Sequence, residues 1–515
     1  MRSAMMALLV LTLPYAGSAA VWVVDQGGHG DFVKIQDAID TASPGDEILV
    51  HDGVYLENLD FLGKDIWVRS ASGPSETVIN GDESEEVLDR SCAVFRSGES
   101  ENAILEGFSL SKGEGTWWDE AEAHVGGGVF TLESSPTIRD CWFIENAAVS
   151  GAGLYISQGA TSVIDCRFQF NEAVSNGGGI AGSGFVPSLI KGCHFEGNTC
   201  GWLGGGLHLR SASTIMDCVF VDNIGGMGGG LTAPNVGADF HIKNCYFEGN
   251  HCTDTHGGGI RIHEASPTVE YCVFVNNTSV QDGGGIMAFD GGSPVIRYCT
   301  FYKNGADRYG GNIAVWYDSS PDINNCIIAE AQHGGVFCFE ASPAFQCNDV
   351  WQNAGGDYSG QCADQTGENG NIAADPLFCD AGAGDLTLQA GSPCAPENSA
   401  GCGLIGALGV GCETVSVSDP RTLARRMMPA GPNPFSGSLR IWLPDSEAGR
   451  GGAPLRLEVY APTGQRIWSD DRLPRSLVTW NGRDGKGRSV AGGTYMLRLV
   501  QGDKVVATRN VIKLK

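Results

Sequence analysis

The stretch HGGGIRIHEASPTVEYCVFVNN, residues 256–277, contains the pattern that decides the fold of this chain. It combines a glycine triplet, two histidines and a C-x-F-x-x-N motif within 22 residues. A glycine triplet can hold a phosphate against the backbone, and His256 and His263 could share a metal ion. Both interpretations predict a functional loop. Repetition of the pattern elsewhere in the chain predicts a structural role instead.

The pattern does recur. A cysteine returns at intervals of 25 or 27 residues, with Phe two residues later and Asn five residues later. A Val or Ile stands three residues before each of these cysteines, and a glycine-rich group accompanies each copy. The seven complete copies contain Cys141, Cys166, Cys193, Cys218, Cys245, Cys272 and Cys299, and an incomplete eighth contains Cys326. The quoted stretch is one copy of a repeat, so its glycines are first of all structural, and no strand–GxxxxGK–helix context supports a phosphate loop.

A period near 26 residues is typical of leucine-rich repeats or of a parallel β-helix. The repeat is rich in Gly, Phe, Val, Ile, Asn and Ser, and it contains little that favours a helix. It divides into three short apolar pieces, which predict three strands per turn and turns that stack at roughly 4.8 Å. Identical residues then form columns, and stacked Asn side chains hydrogen-bond along theirs. The cysteines are expected to be mostly free thiols, because side chains that point the same way on stacked strands make poor disulfides.

Charge and hydropathy divide the chain. Residues 1–20 carry Arg2, a short apolar core and small residues near Ala20, which predicts an export signal that is removed. Residues 21–419 hold 15 Lys+Arg against 53 Asp+Glu, whereas residues 420–515 hold 17 against 7. The acidic body argues against nucleic acid as a partner. No later segment is apolar enough for a transmembrane helix. We predict a repeat domain at 21–412, a linker at 413–430 and a second domain at 431–515.

The repeats resemble the right-handed parallel β-helix proteins of the pectate-lyase-like superfamily. The stretch GDFVKIQDAIDTASPGDEILVHDGVYLEN (30–58) is similar to the start of many such proteins, including pectin esterases, and predicts a short helix over the first turn. Residues 349–412 resemble their finishing segment. This segment and its immediate neighbour hold the cysteines expected to form disulfides: Cys347, Cys362, Cys379, Cys394, Cys402 and Cys412.

The catalytic signatures of this superfamily are not found. Hydrolases of the polygalacturonase type need an adjacent Asp pair, and the only such pair is Asp470–Asp471, outside the repeats. The R-I-H stretch at 261–263 resembles their Arg-Ile-Lys substrate contact in part. The DFIFG-like and GRPW-like segments of pectin esterases do not occur. Pectate lyases need calcium-binding acids and a basic residue, and no motif marks them here. We therefore predict no catalytic residues, no metal site and no cofactor; calcium is implied only if the protein is an enzyme.

The C-terminal residues 431–515 alternate apolar and polar positions and contain Asn-Gly, Asp-Gly and Gly-Gly turns, which predict a small Ig-like β-sandwich. They resemble the Ig-like domain of flagellar hook-capping proteins and the type IX secretion sorting domain. The resemblance rests on Asn433, Pro434, Phe435, Val459, Tyr460, Gly464, Trp480, Asn481, Gly482, Asp484, Gly487, Ala491, Gly493, Tyr495 and Lys515. It implies an outer-membrane secretion machinery as a partner and a secreted or outer-cell-surface location. A generic sandwich that acts as a tether is the alternative.

The strand after each glycine triplet offers a candidate binding face. Its first and third residues are apolar and should point inward, so its second and fourth should point outward. Aromatic rings with flanking cations and carboxylates suit a sugar. The candidate glycan-binding residues are His208, Arg210, Arg261, His263, Phe289, Asp290, Trp316 and Asp318.

Three hypotheses follow. The first is a secreted or surface-displayed β-helix that binds a polysaccharide or a cell-surface glycan without catalysis, and we favour it over an enzyme. The second is a polysaccharide lyase or glycoside hydrolase of the pectate-lyase-like superfamily. The third is a structural filament of a surface layer.

Overall fold

The computed structural model describes residues 19–82, 89–184, 186–382, 384–412, 430–431, 439–442, 455–461, 466–470, 477–491, 493–501 and 504–513. Almost all of the predicted signal peptide (1–20) and linker (413–430) lies outside these ranges, as do Asn433, Pro434, Phe435, Gly464 and Lys515. Among the described helices, none is long and apolar enough to cross a membrane.

The described residues between 21 and 360 form a parallel β-solenoid in which strands pair with those one turn before and one turn after. Gly115–Trp118 is an exception, because it pairs antiparallel with Asp89–Arg90 and Ala123–Val125. Sheet 1 contains Val21–Val24, Glu47–Val50, Trp67–Ser70, Ile104–Glu106, Thr137–Arg139, Ser162–Ile164, Leu189–Lys191, Thr214–Met216, His241–Lys243, Thr268–Glu270, Val295–Arg297, Asp322–Asn324 and Ala344–Gln346. Sheet 2 contains Gly53–Leu56, Thr77–Asn80, Ser109–Ser111, Trp142–Ile144, Arg167–Gln169, His194–Glu196, Val219–Val221, Tyr246–Glu248, Val273–Val275, Thr300–Tyr302, Ile327–Ala329 and Asp349–Trp351. Sheet 3 contains Leu59–Asp60, Ala93–Phe95, Val129–Leu132, Leu154–Ser157, Ile180–Gly182, Leu207–Leu209, Leu231–Pro234, Ile260–His263, Ile286–Phe289, Ile313–Trp316, Val336–Phe339 and Tyr358–Gly360.

The expectation of three strands per turn is incomplete, because a fourth sheet lies between sheets 2 and 3. The segments between the Asn column and the glycine triplets have similar lengths in successive turns, so their backbones align and hydrogen-bond to one another. Sheet 4 contains Asp89–Arg90, Gly115–Trp118, Ala123–Val125, Ala147–Ser150, Glu172–Asn176, Thr199–Leu203, Ile224–Met227, His251–Cys252, Thr278–Ser279 and Gly305–Ala306.

The repeat motif forms columns in the core, as predicted. The aromatic rings of successive C-x-F motifs stack with centroids 4.4 to 4.9 Å apart and nearly parallel planes. The stacked residues are Phe143, Phe168, Phe195, Phe220, Phe247, Phe274 and Phe301. All are buried, so each turn contributes to one continuous apolar interior.

The Asn column hydrogen-bonds along its length. Each side-chain N–H donates to the Oδ1 atom of the Asn one turn later, at 2.8 to 3.0 Å, from Asn146 to Asn304. The same amide groups donate to backbone carbonyls one turn earlier, for example from Asn198 to Phe168 at 2.8 Å. The adjacent Cys141–Cys326 column is buried and unbridged, which confirms the expectation of free thiols.

The two ends of the solenoid are covered differently. At the N-terminal end lies a helix, Ile35–Thr41, which buries Ile35, Ala38 and Ile39. Both carboxylate oxygens of Glu57 accept hydrogen bonds from its first N–H groups, at Ile35 and Gln36, each 2.9 Å.

The C-terminal residues 361–412 fold back over the outer face of sheet 2 and contain the strands Phe378–Asp380 and Asp385–Leu388. Leu386, Leu388 and Ile405 belong to one apolar cluster with Tyr302 and Ile327 of that face. Three disulfides hold this segment: Cys338–Cys362, Cys347–Cys402 and Cys379–Cys412. Five of the six cysteines expected to pair do so; Cys394 is free, and Cys338 of the solenoid takes its place.

The described strands after residue 430 form two small antiparallel sheets. One contains Ala430–Gly431, Leu439–Trp442 and Leu477–Trp480, and the other contains Leu455–Tyr460, Arg466–Asp470, Gly493–Gln501 and Lys504–Lys513. Their shared core includes Leu439, Val459, Trp480, Tyr495 and Leu497. Two antiparallel sheets with a shared core are compatible with the predicted Ig-like sandwich, which remains a proposal for residues 431–515.

Candidate functional site

The outer face of sheet 3 carries the predicted site residues. The first and third residues of its strands lie in the core, as predicted, with Leu207, Leu209, Ile260, Ile262, Ile286, Ala288, Ile313 and Val315 all buried there. The second and fourth residues therefore point away from the core.

The second residues are nevertheless buried, and the reason lies in the glycine corners. Each corner folds against the second residue of the strand that follows it. A Cβ atom on Gly257 would lie 2.9 Å from the Cβ of Arg261, and one on Gly283 would lie 2.9 Å from that of Met287. Glycine is needed because the backbone passes so close, and Gly257 also has a φ of +80°. The second positions are therefore buried, and the fourth positions, such as His263 and Phe289, are partly exposed.

His208 is one of these buried second residues, so its side chain is not accessible to a ligand. Its side chain is buried, and its Nδ1 atom is 2.7 Å from the hydroxyl of Thr232. Burial, together with the positive charges of Arg210 and Arg261, lowers the pKa of His208 to about 3. The imidazole is neutral at physiological pH and forms a hydrogen bond with Thr232 on the neighbouring strand.

Four of the predicted residues come together two and three turns after His208. The guanidinium carbon of Arg261 lies 4.6 Å from the ring centroid of Phe289. The ring of His263 lies 4.5 Å from the same ring, and its Nε2 atom is 3.2 Å from the Oδ2 atom of Asp290. Arg210 and Asp318 are exposed near opposite ends of this region. The Phe289 ring thus lies beside the guanidinium group of Arg261 and the imidazole of His263, with the carboxylate of Asp290 close by.

Trp316 stands at the centre of an aromatic cluster. The cluster consists of Tyr309, Trp316, Tyr317, Phe337 and Phe339. The centroid of the Trp316 ring lies 4.9 Å from that of Phe339 and 5.4 Å from that of Phe337, while Tyr309 stacks on Phe337 at 4.4 Å. Tyr309 and Tyr317 are 45% and 43% exposed, so the cluster forms an open apolar surface rather than a core.

The indole N–H of Trp316 adds a specific feature. Its Nε1 atom is buried and has no hydrogen-bond partner among the described residues. A buried donor without an acceptor is costly, so it favours a ligand that supplies an oxygen atom. Arg308 lies above the rings of Tyr309 and Trp316, at 5.6 and 5.9 Å.

The sequence interpretation missed most of this cluster. Phe337 and Phe339 occupy the second and fourth positions of the next strand, so the same alternation rule, applied one turn further, would have found them. Tyr309 stands before a glycine corner, where no periodic rule assigns a direction. The structure pairs it through a backbone bridge with Asp282, and Asp282 with His256.

Asp282 and its partners form a second missed group. Asp282 is completely buried, and its Oδ2 atom lies 3.3 Å from the Nδ1 atom of His256 and 3.3 Å from a guanidinium nitrogen of Arg308. The His256 ring lies 6.0 Å from Phe289. His256 and His263 therefore each face a carboxylate. Within the described part of the chain, no three His, Cys, Asp or Glu residues are grouped so that they could hold a metal ion.

A concave region of about 490 Å³ lies at the N-terminal end of the solenoid, between the helix and the first strands. Arg96 forms ion pairs there with Asp60 and Asp89, at 2.9 and 3.0 Å. Both carboxylates are thus already engaged with Arg96 within the protein.

Residues 126–281 and 241–372 match the family model described as right handed beta helix region. Over residues 126–372 the repeat region is therefore similar to right-handed β-helix proteins. A search among curated proteins finds no significant match.

Similar solved structures include pectate lyase Pel9A, which is 13% identical, with a TM-score of 0.38 and coverage of 77% of this chain and 97% of that chain. Pectin methylesterase from carrot is 12% identical, with a TM-score of 0.25 and coverage of 70% and 90%. Pectin methylesterase PemA from Erwinia chrysanthemi is 10% identical, with a TM-score of 0.26 and coverage of 75% and 97%.

Proposed function

We propose that this right-handed β-helix protein binds a polysaccharide or cell-surface glycan on the outer face of sheet 3, without catalysis. The open aromatic cluster around Trp316 is the observation that carries the proposal. Isolated exposed apolar residues are normal on a protein surface, whereas five contacting aromatic rings on one outer face support the presence of a binding site.

The chemistry of the cluster fits a sugar. The faces of pyranose rings carry C–H groups, which pack on aromatic faces, while the hydroxyl groups around their rims need hydrogen-bond partners. Arg308 lies over the Trp316 ring, and Asp318 follows two residues after it; both carry charged groups that bind hydroxyls. A repeated, stacked scaffold also presents such groups in a row, which suits a polymer.

The test is a glycan array followed by calorimetry on any glycan that binds. Trp316→Ala and Tyr309→Ala should each weaken binding at least about tenfold, because each removes apolar contact area from the ligand. Trp202→Ala is the matched control, since Trp202 is 52% exposed but lies on sheet 4. Thermal melting should show all three variants folded.

Retention of wild-type affinity in both cluster variants would remove this surface from consideration. An equal loss in Trp202→Ala would place the binding surface elsewhere on the solenoid or show that the losses are not specific.

A polysaccharide-degrading enzyme is the second candidate, and the His256–Asp282 pair is the observation that favours it. The Asp282 carboxylate lies 3.3 Å from the Nδ1 atom of His256 without a hydrogen bond between them. A small shift that closes this contact would orient the ring and leave the other nitrogen free to take a proton from a substrate. The pair lies beside Phe289, on the face where the proposed sugar would bind.

This candidate predicts turnover of a polysaccharide panel, with or without calcium. Cleavage would release reducing ends or an unsaturated product that absorbs in the ultraviolet. His256→Ala should abolish the activity, and His241→Ala, which changes an exposed histidine of sheet 1, should preserve it. Any such activity in the wild-type protein would replace binding without catalysis as the leading function.

We further propose that residues 431–515 deliver the protein across an outer membrane through a secretion machinery and place it in the medium or on the cell surface. The sequence resemblance of this unit to sorting domains supports the proposal. Deletion of residues 431–515 should leave the solenoid folded and retain it inside the outer membrane. A truncated protein that still reaches the surface or the medium would show that the unit is only a tether.

A further inference from the structure

We infer that the export signal is cut between Ala19 and Ala20, and that the new terminal ammonium group of Ala20 forms an ion pair with the carboxylate of Asp46. The inference goes beyond the proposed function, because it assigns a processing site and depends neither on glycan binding nor on residues 431–515. It also differs from the sequence prediction, which placed the end of the signal at residue 20.

Asp46 is the central observation. Its Oδ1 atom accepts a hydrogen bond from the backbone N–H of Ala20 at 2.7 Å. Its Oδ2 atom accepts the backbone N–H of Ser43 at 2.9 Å and the indole N–H of Trp22 at 3.2 Å. The backbone N–H groups of Ser43 and Ala20 lower the pKa of Asp46, so its carboxylate is ionised at neutral pH. The Ala20 nitrogen therefore lies against an anion even while it is a neutral amide.

Asp46 lacks a cation to balance this charge. It is only 9% exposed, and among the described residues no Lys, Arg or His side chain forms an ion pair with it. The neighbouring carboxylate of Glu47, by contrast, pairs with Arg69 at 2.6 Å. A carboxylate with little access to water is ordinarily paired with a positive charge.

Hydrolysis of the Ala19–Ala20 bond supplies that charge at the right atom. Water adds to the carbonyl carbon of Ala19, which becomes a carboxylate, and the Ala20 nitrogen leaves as an amine. The amine takes up a proton at neutral pH. The existing contact with Asp46 then becomes a charge-assisted hydrogen bond, which is stronger than one from a neutral amide.

The alternative cut, between Ala20 and Val21, removes two contacts at the start of sheet 1. The carbonyl oxygen of Ala20 accepts the N–H of Glu47 at 2.9 Å, and the N–H of Ala20 is the group that reaches Asp46. Small residues occupy the positions one and three before either bond, so the sequence allows both cuts. Ala19 is exposed and lies before the first strand, so its removal breaks no strand pairing.

The cleavage site can be read from the exported protein. The full-length chain is produced in a bacterium with a general secretion pathway, and the N-terminal peptide of the exported protein is identified by mass spectrometry. We expect Ala20 as the first residue. A protein that begins at Val21 or at any other residue, or that keeps residues 1–19, would overturn the inference.

The ion pair is tested by the reactivity of the Ala20 amine in residues 20–515, produced as a fusion that is cleaved to leave Ala20 first. An acylating reagent attacks only the unprotonated amine, and an ion pair with Asp46 favours the protonated form. At about pH 7 the amine should therefore react at least about tenfold more slowly in the wild type than in Asp46→Asn. Peptide mapping separates this amine from those of the lysines.

Asp31→Asn is the matched control, because the carboxylate of Asp31 accepts the backbone N–H of Val23 in the same strand, at 3.0 Å. This variant should leave the reactivity of the Ala20 amine unchanged. At about pH 10 the amine has lost its proton in every variant, and all should react at similar rates.

Equal rates for the wild type and Asp46→Asn at about pH 7 would overturn the ion pair. A difference that persists at about pH 10 would also overturn it, because it would show that the variant only opens the end of the first strand. Both measurements are independent of the glycan array, so glycan binding and N-terminal processing can each fail while the other stands.

Discussion

The carboxylate of Asp349 lies 3.1 Å from the thiol of Cys394, with its Oδ2 atom facing the sulfur. Asp349 begins the last strand of sheet 2, and Cys394 belongs to the segment that folds back over that sheet. Both side chains are completely buried. The contact therefore fixes the covering segment to the solenoid at a point where a titratable group has no access to water.

Asp349 should make stability depend on pH. Burial raises its pKa from the usual 3.8 to about 7. Because the folded-state pKa exceeds the unfolded-state pKa, the stabilising contribution is complete below about pH 4 and is lost as the pH rises through 7. The free energy of unfolding should fall over this interval by no more than about 4 kcal/mol. Asp349→Asn keeps an oxygen for the N–H of Ala374 and should flatten the profile.

The measurement is thermal melting between pH 4 and pH 9. Glu397→Gln is the control, since Glu397 is an exposed carboxylate of the same covering segment. A pH profile in Asp349→Asn that matches the wild type would contradict the assignment.

The Asn column should be a major source of stability. The Oδ1 atom of Asn198 accepts the backbone and side-chain N–H groups of Asn171, and its own N–H groups bond to Phe168 and Asn223. Asn198→Ala leaves several buried polar groups unpaired and should cost about 3 kcal/mol or more. Asn102→Ala, at an exposed position, should cost little. Equal melting temperatures for the two variants would show that water can replace the column.

The glycine corners can be tested by a pair of alanine substitutions. A Cβ atom at Gly179 would lie 2.5 Å from the carbonyl oxygen of Gly206 and 2.8 Å from the ring of Phe195. Gly179→Ala should therefore destabilise the solenoid by about 1 to 3 kcal/mol. Gly237→Ala meets no heavy atom within 4 Å and should be neutral in the same chemical denaturation series. A neutral Gly179→Ala would mean that neighbouring turns can separate to admit a methyl group.

The cysteines should fall into two chemical classes. The 12 free cysteines are buried and should not react with iodoacetamide in the native protein, but should react after denaturation without a reductant. The six cysteines of the three disulfides should react only after reduction. Peptide mapping by mass spectrometry distinguishes the classes. A disulfide between two residues of the Cys141–Cys326 column would refute the stacked geometry.

The covering segment shows how far sequence reasoning reaches. Its cysteines and its exported context predicted disulfides, and five of the six cysteines named do form them. That Cys394 remains free and Cys338 replaces it depends on where residues 361–412 settle on sheet 2, and no periodicity encodes that position.

The repeat alone predicts the β-solenoid, the Phe, Asn and Cys columns and the inward residues of sheet 3, because a repeat of nearly constant length places the same residue type at the same point of every turn. Which outward residues are accessible follows from the folded chain. Glycine corners and neighbouring turns cover Arg261 and His208, whereas Tyr309 and Tyr317 of the aromatic cluster are exposed. Alternation along a strand encodes the direction of a side chain, whereas the burial of that side chain depends on backbone from other turns.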